Sequence, residues 1–238
     1  MPEKPLAGSV SLITGASRGI GLAIACALGR RGSKLAICAR NSEKLGATAV
    51  QLERFGYTVV AIAADLTRSS DVSSLVEKTE ASLGPLDILI NNAGIGHFAS
   101  IQDASETDWD AVLDTNLKAV FLLSRLVAPG MIRRLSGHII NIASLAGKSA
   151  FTGGAMYCAS KWGLLGLTQC MAEDLRPFGI RVSAICPGTV ATEFSPHSGK
   201  DPHKMLQPED VAHAVEMILT QAPESFISEV LLRPTRKP

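Results

Sequence analysis

Seven short apolar runs recur along the chain, at residues 10–14, 34–39, 58–63, 86–90, 138–143, 181–186 and 229–232. Each is rich in β-branched or aliphatic residues and is bounded by Gly, Pro, Asn or charge, which marks a strand. Between them lie stretches with helical spacing, about 19–31, 42–55, 71–83, 106–134, 155–178 and 208–220. Strands that are apolar on both faces must be covered on both faces, as in a parallel sheet sandwiched by helices. Repeated strand–helix alternation therefore predicts a doubly wound α/β architecture. No composition break marks a linker, so one domain is expected across residues 1–238.

Composition narrows the function classes. With 46% apolar and 19% charged residues, the chain of 238 has the means to bury a core without disulfide or metal staples. Lys plus Arg number 23 and Asp plus Glu 22, a net charge of +1. That balance supplies no field to attract nucleic acid or an anionic membrane, and neither is an expected partner. Aromatics, at 5%, are too scarce for a base-stacking platform. The five cysteines are odd in number and form no C-x-x-C pair, which reads as small buried hydrophobes in a reducing cytosol, with no metal site. No apolar run approaches the roughly 20 residues of a membrane span, and Met1 to Gly8 lacks a signal-peptide core. The expected location is the cytoplasm.

The first strand runs directly into Thr14-Gly15-Ala16-Ser17-Arg18-Gly19-Ile20-Gly21 and then into a helical pattern. Glycines permit the tight turn and bring backbone N–H groups close to a pyrophosphate, while the helix N-terminus offers its dipole. The architecture is thus expected to be a single Rossmann-type doubly wound parallel sheet of about seven strands flanked by helices on both faces. The second half of the signal lies at the end of the second strand. A carboxylate there would bind a ribose 2′-hydroxyl and select NAD. The chain instead reads Cys38-Ala39-Arg40-Asn41. A guanidinium pairs bidentately with a 2′-phosphate, and Arg18 inside the turn is a second cation, so the expected cofactor is NADP(H).

Six segments in order, Thr14 to Gly21, Asn91-Asn92-Ala93-Gly94, Asn116, Ser144, Tyr157-x-x-x-Lys161 and Pro187-Gly188, resemble the short-chain dehydrogenase/reductase family. The resemblance spans essentially the whole chain. It implies a catalytic tetrad of Asn116, Ser144, Tyr157 and Lys161. Tyr157 and Lys161 are four apart and share a helix face. A phenol titrates near 10, and a nearby ammonium is expected to lower that value, giving a proton donor to a carbonyl oxygen. Ser144, thirteen residues earlier, offers a hydroxyl to a developing oxyanion, or a strand-end cap. Asn is a poor helix former, and the family position of Asn116 kinks its helix and holds a water. The cofactor-binding set implied is Gly15, Ser17, Arg18, Gly19, Ile20, Gly21, Arg40, Asp65, Leu66, Asn92, Ala93, Gly94, Tyr157, Lys161, Pro187, Gly188, Val190 and Thr192. Lys161 meets the nicotinamide ribose, Asp65 the adenine (or caps a turn), Val190 the nicotinamide amide through its backbone, and Thr192 a phosphate.

Ile95, His97, Leu145, Ala146, Gly147, Gly153, Gly154 and Phe194 are expected to face the nicotinamide. The set is small and apolar, which suits a neutral ketone, aldehyde or oxo-acyl substrate. Arg133 and Arg134 are candidate contacts for a carrier-protein arm, although Glu173-Asp174 departs from the basic surface such reductases present. Residues 194–207 form the longest polar segment, expected to act as a lid or else as a mobile connection. The function expected is an NADPH-dependent carbonyl reductase. The alternatives are an NADP-linked alcohol or hydroxy-acid dehydrogenase and, from another class, a non-catalytic dinucleotide-binding regulator. The resemblance also implies a homo-oligomer, a dimer or tetramer built on the helices carrying Asn116 and Tyr157 and on the last strand.

Overall fold

The computed structural model describes residues 5–194, 201–222 and 224–236. Seven parallel strands form one sheet in the order β3-β2-β1-β4-β5-β6-β7. They are β1 (Val10–Thr14), β2 (Lys34–Ala39), β3 (Val59–Ala63), β4 (Ile88–Asn91), β5 (Gly137–Ile142), β6 (Ile180–Pro187) and β7 (Glu229–Leu232). Side chains alternate between the faces, so each strand feeds two cores. In β1, Leu12 enters one core and Ile13 the other.

Helices α1 (Gly19–Arg30), α2 (Ser42–Arg54) and α7 (Pro208–Leu219) bury Ile24, Leu28, Leu52, Val215 and Ile218 against the Ile13 face. Helices α3 (Ser69–Leu83), α5 (Ala119–Arg134) and α6 (Ala155–Leu175) bury Leu75, Leu123, Met131 and Leu175 against the Leu12 face. Local signals set their ends. Asn41 caps α2 by accepting from the Lys44 N–H, and Ser105 caps α4 (Glu106–Leu113) by accepting from the Asp108 N–H. Pro208 starts α7, where Gln207 and Asp210 form a capping box.

The stretch expected as one helix over 106–134 is three pieces. A π turn at Asp114–Lys118 separates α4 from α5, and Asn116 sits inside it. The expected irregularity at Asn116 is therefore present, as a widened turn within the helix. The helix over 155–178 tightens at Arg176–Phe178 into a 3₁₀ turn, because Pro177 has no N–H for an α-helical bond. The expected lid spans 194–207, of which residues 195–200 lie outside the described residues. Its far end is anchored: the Leu206 N–H donates to the Thr189 carbonyl at 3.0 Å and the Ala191 N–H to the Leu206 carbonyl at 2.8 Å.

The order 3-2-1-4-5-6 reverses direction between β1 and β4. Ligands of such sheets bind outside the strand C-terminal ends at that reversal. Gly15, Arg40, Asp65, Asn92, Ser144 and Gly188 all follow strand ends on that one edge.

Candidate active site

The turn after β1 is held open from behind. The Thr14 hydroxyl donates to the Ile90 carbonyl and accepts from the backbone N–H groups of Asn92 and Ala93, both at 3.0 Å. The Asn92 amide donates to the carbonyls of Thr14 (2.9 Å) and Gly15 (3.2 Å). Gly15 adopts φ +65°, and a Cβ there would lie 2.9 Å from the Ala93 Cα. A Cβ on Gly21 would lie 2.4 Å from the Gly15 carbonyl oxygen. No side chain caps the N-terminus of α1 and no acidic residue lies in its first turn. The residues present thus fit a pyrophosphate: a glycine cradle with no room for side chains, ending at a helix N-terminus open to an anion.

Ser144 closes β5. Its Oγ accepts from the Ala146 N–H at 3.0 Å, capping the 3₁₀ turn Leu145–Gly147, and it hydrogen-bonds the Tyr157 hydroxyl. Capping and a contact with Tyr157 are thus combined in one side chain. Tyr157 is buried, its ring packed edge-on against Phe98 (5.5 Å, 67°) and tilted against Phe194 (5.8 Å). Phe151 extends the cluster from Phe98 at 5.9 Å. Lys161, also buried, donates to the Ile142 carbonyl at 2.9 Å, with Nζ 5.7 Å from the Tyr157 ring centroid. Burial pushes the Tyr157 hydroxyl up to about 12, against the pull of the Ser144 hydrogen bond. Burial pushes the Lys161 ammonium down to about 8. The expected lowering of the phenol by the ammonium is not what this geometry produces: Nζ is bound to a carbonyl, and desolvation outweighs the rest.

Asn116 is buried and fully engaged. Its amide donates to the Ile95 carbonyl (2.9 Å) and to the Ser160 Oγ (3.1 Å), while its Oδ1 accepts from the Ile95 N–H (2.8 Å). Both amide hydrogens are used, so the side chain clamps the loop after Gly94 onto the π turn.

The model of the short chain dehydrogenase family matches residues 9–203. The chain belongs to the short-chain dehydrogenase family. An uncharacterized oxidoreductase of Staphylococcus saprophyticus is 35% identical over 230 residues, 96% of this chain and 98% of the relative. Among solved structures, a metagenomic short-chain oxidoreductase in complex with NADP is 43% identical, with a TM-score of 0.87 over 98% of this chain and all of that one. An alcohol dehydrogenase from the archaeon Thermococcus sibiricus, complexed with 5-hydroxy-NADP, is 30% identical, with a TM-score of 0.89 over 97% of this chain and 98% of that one. The chain is thus an oxidoreductase of this family, with the fold of its solved members. Among the described residues no three His, Cys, Asp or Glu cluster as a metal site, and no helix is long and apolar enough to cross a membrane.

The short-chain dehydrogenase motifs lie at strand ends on one edge of the sheet, and each of the two arginines has an acidic neighbour. Arg18 is ion-paired to Glu193, across the mouth of the cleft. Arg40 is exposed at the end of β2, beside Asp65. Burial raises the Asp65 carboxyl, but hydrogen bonds from the Thr67 N–H and hydroxyl, with the charges of Arg68 and Arg40, hold it below its ordinary value. Its Oδ1 accepts from both Thr67 groups, which is an Asx turn. The Leu66 side chain is core, so only its backbone is free for a ligand. Ser17 is tied by its carbonyl to the Thr48 hydroxyl (3.1 Å), and the Ile20 side chain packs into the core. Gly188 donates to the Leu232 carbonyl at 2.8 Å, and Val190 bridges to Leu206, which fixes the chain after Pro187. Thr192 abuts the glycine turn: a Cβ on Gly19 would lie 3.3 Å from its Cγ2.

Several site residues escaped the sequence reading. Phe98 packs on Tyr157 and Phe151 on Phe98, yet 53 positions separate the two phenylalanines and no local period links them. His97 does not enter the cleft as a free group: its Nδ1 lies 2.9 Å from the Asp108 Oδ1. Glu193 follows Thr192 and had no motif to mark it. Arg133 and Arg134 end α5, and α5 leads into the N-terminal end of β5. Arg134 donates there to the Leu86 carbonyl at 2.6 Å, on the edge away from Tyr157.

Proposed function

We propose that the protein is an NADPH-dependent carbonyl reductase in which Tyr157 is the general acid, with cofactor binding and catalysis in one unit. The carrying observation is the Tyr157 hydroxyl: buried, hydrogen-bonded to Ser144, and on the same sheet edge as the glycine cradle. The cofactor is a nicotinamide dinucleotide, supported by that cradle and by the NADP held in the metagenomic relative. Arg40 stands where a 2′-phosphate is selected, with no carboxylate in its place. Arg18 reaches the phosphate by exchanging Glu193 for it.

When bound, the dinucleotide supplies a hydride to the carbonyl carbon. The protein's residues handle the oxygen. Ser144 donates to it as charge develops, and Tyr157 gives up its hydroxyl proton to it, leaving an alcohol. Because burial holds Tyr157 protonated at neutral pH, the acid is in the form that reduction needs. Lys161 then stabilises the phenolate that remains, and Asn116 keeps the flanking loop in register as a positioning residue.

The substrate is a neutral, apolar ketone or aldehyde. Phe98, Phe151 and Phe194 form the walls beside Tyr157, and the nearby charges are already paired. Lys148 is held by Glu229 at 2.9 Å and His97 by Asp108. The same reading carries assembly as a dimer or tetramer, for which Phe121 and Trp162 stand half-exposed on α5 and α6. The test is NADPH oxidation, followed by ultraviolet absorbance, against a panel of ketones and aldehydes. Tyr157→Phe keeps the ring packing and removes the proton, so turnover falls at least about 100-fold while NADPH affinity stays. Retained turnover in that variant refutes the acid. Tight NADPH binding with no turnover on any carbonyl marks a regulator.

A further inference from the structure

A cleft of about 400 Å³ lies at the opposite edge of the sheet, at the N-terminal ends of β4, β5 and β6. Leu6 and Leu219 line it, together with Asp87, His138 and Arg181. His138 and Arg181 are register partners on adjacent strands. Their side chains therefore leave the same face of the sheet, from strands about 4.8 Å apart.

Two polar atoms here are buried without a partner: the His138 Nδ1 and the Arg181 Nη1. His138 is 2% exposed. Its Nε2 lies 3.0 Å from the Ser183 Oγ, and that hydroxyl spends its own proton on the Ile227 carbonyl at 2.7 Å. The hydrogen-bond network thus assigns the proton of the ring to Nε2 and leaves Nδ1 as a bare acceptor. Burial, reinforced by the charge of Arg181, pushes the imidazole down to about 3, so it stays neutral. Arg181 beside it is a permanent donor. An unpaired buried acceptor and an unpaired buried guanidinium donor, on paired residues that both line the cleft, ask for one ligand that satisfies both.

We propose that this cleft binds a phosphate group in its protonated form, one bare oxygen accepting from Arg181 and one P–O–H donating to the His138 Nδ1. The Asp87 carboxylate at the rim is already committed, accepting from the Val10 N–H at 2.9 Å with Arg134 3.9 Å away. It disfavours a dianion more than a monoanion, which again selects the protonated form. The cleft is larger than a phosphate, and Leu6 and Leu219 give an organic substituent an apolar wall, so a phosphate monoester fits as well as the free ion.

The test is a titration of the full-length protein followed at the imidazole nitrogens of His138 by NMR, with and without saturating NADPH. That readout sits at His138 and holds whichever dinucleotide fills the glycine turn. Inorganic phosphate and an alkyl phosphate monoester form two arms. Sulfate, of the same shape but with no O–H at neutral pH, forms the third. The expected result is a saturable Nδ1 shift with phosphate, with the monoester, or with both, and none with sulfate. Tighter binding of the monoester assigns the site to an organic phosphate, and tighter binding of phosphate to the free ion. Arg181→Met weakens the binding at least about 10-fold. Should that variant fail to fold, the contrast between phosphate and sulfate in the wild-type protein decides. No shift with either phosphate, or an equal shift with sulfate, overturns the proposal.

Discussion

Two glycine-to-alanine changes put the geometry of the cradle to a test in which helix propensity and sterics predict opposite signs. Gly21 lies in the first turn of α1 and Gly46 within α2. Propensity alone favours alanine at both, by up to about 1 kcal/mol each. A Cβ at Gly46 meets nothing within 4 Å, so the gain stands. Its Tm is expected to rise by about 2–4 °C per kcal/mol in a chain of this size. A Cβ at Gly21 lies 2.4 Å from the Gly15 carbonyl oxygen, 2.6 Å from the Asn92 Nδ2 and 2.8 Å from the Ala16 Cα. Ordinary contacts need about 3.5 Å, so the turn must open by about 1 Å. Overpacking of that kind costs about 1–3 kcal/mol, which exceeds the propensity gain. Gly21→Ala is thus expected to lower the Tm by about 2–4 °C. Because the displaced atoms form the anion cradle, its Kd for NADPH rises at least about 10-fold. Thermal denaturation and a fluorescence titration with NADPH measure both. A Tm that rises in Gly21→Ala as it does in Gly46→Ala, with NADPH affinity unchanged, refutes the argument.

Arg40→Asp is expected to lower the kcat/KM ratio of NADPH to NADH at least about 10-fold, and an unchanged ratio removes Arg40 from selection. Lys161 has a native pKa of about 8 against 10.5 in the open chain, so the cost of burying its charge is full below 8 and is lifted as pH rises through 10.5. The wild type should gain up to about 3 kcal/mol on Lys161→Met over that window in denaturant titrations without cofactor. His138, at about 3 against 6.5, contributes stability that is present above 6.5 and lost as pH falls towards 3. Up to about 5 kcal/mol of acid sensitivity should disappear in His138→Gln, measured as a difference in unfolding free energy across that range.

The strands were legible because each one is apolar on both faces, a pattern only a covered parallel sheet requires. β1, β2 and β7 have the bounds that their apolar runs set. The glycine turn was legible because its constraint is local: Gly15 needs a positive φ within the turn itself. What escaped depends on contacts between distant segments. Nothing in the helical pattern over 106–134 announces a π turn, which exists where Asn116 brackets the backbone of Ile95. The aromatic walls add Phe98 and Phe151, from two other loops, to the expected Phe194. The pairing of Arg18 with Glu193 spans 175 positions, so no local pattern announced it.

The same logic bears on the direction in which the proposed chemistry is poised. In water an ammonium near 10.4 and a phenol near 10 are almost matched, and attraction between charges would favour the phenolate–ammonium pair. Burial separates them here, to about 12 for Tyr157 and about 8 for Lys161. The raised value at Tyr157 and the lowered one at Lys161 keep the proton on Tyr157. At neutral pH, below both values, the pair is a neutral phenol beside an ammonium, and forming the phenolate would place a second charge in a desolvated cleft. Ser144 is the one neighbour that already works against this, since its hydrogen bond favours the phenolate. Reduction spends a proton that the site holds at no further cost, whereas oxidation must first remove it. Removing Ser144's hydroxyl with Ser144→Ala should therefore raise the pKa seen in the pH profile of alcohol oxidation more than it slows carbonyl reduction at low pH. Equal effects in both directions would mean that Ser144 acts on the substrate oxygen alone and does not tune Tyr157.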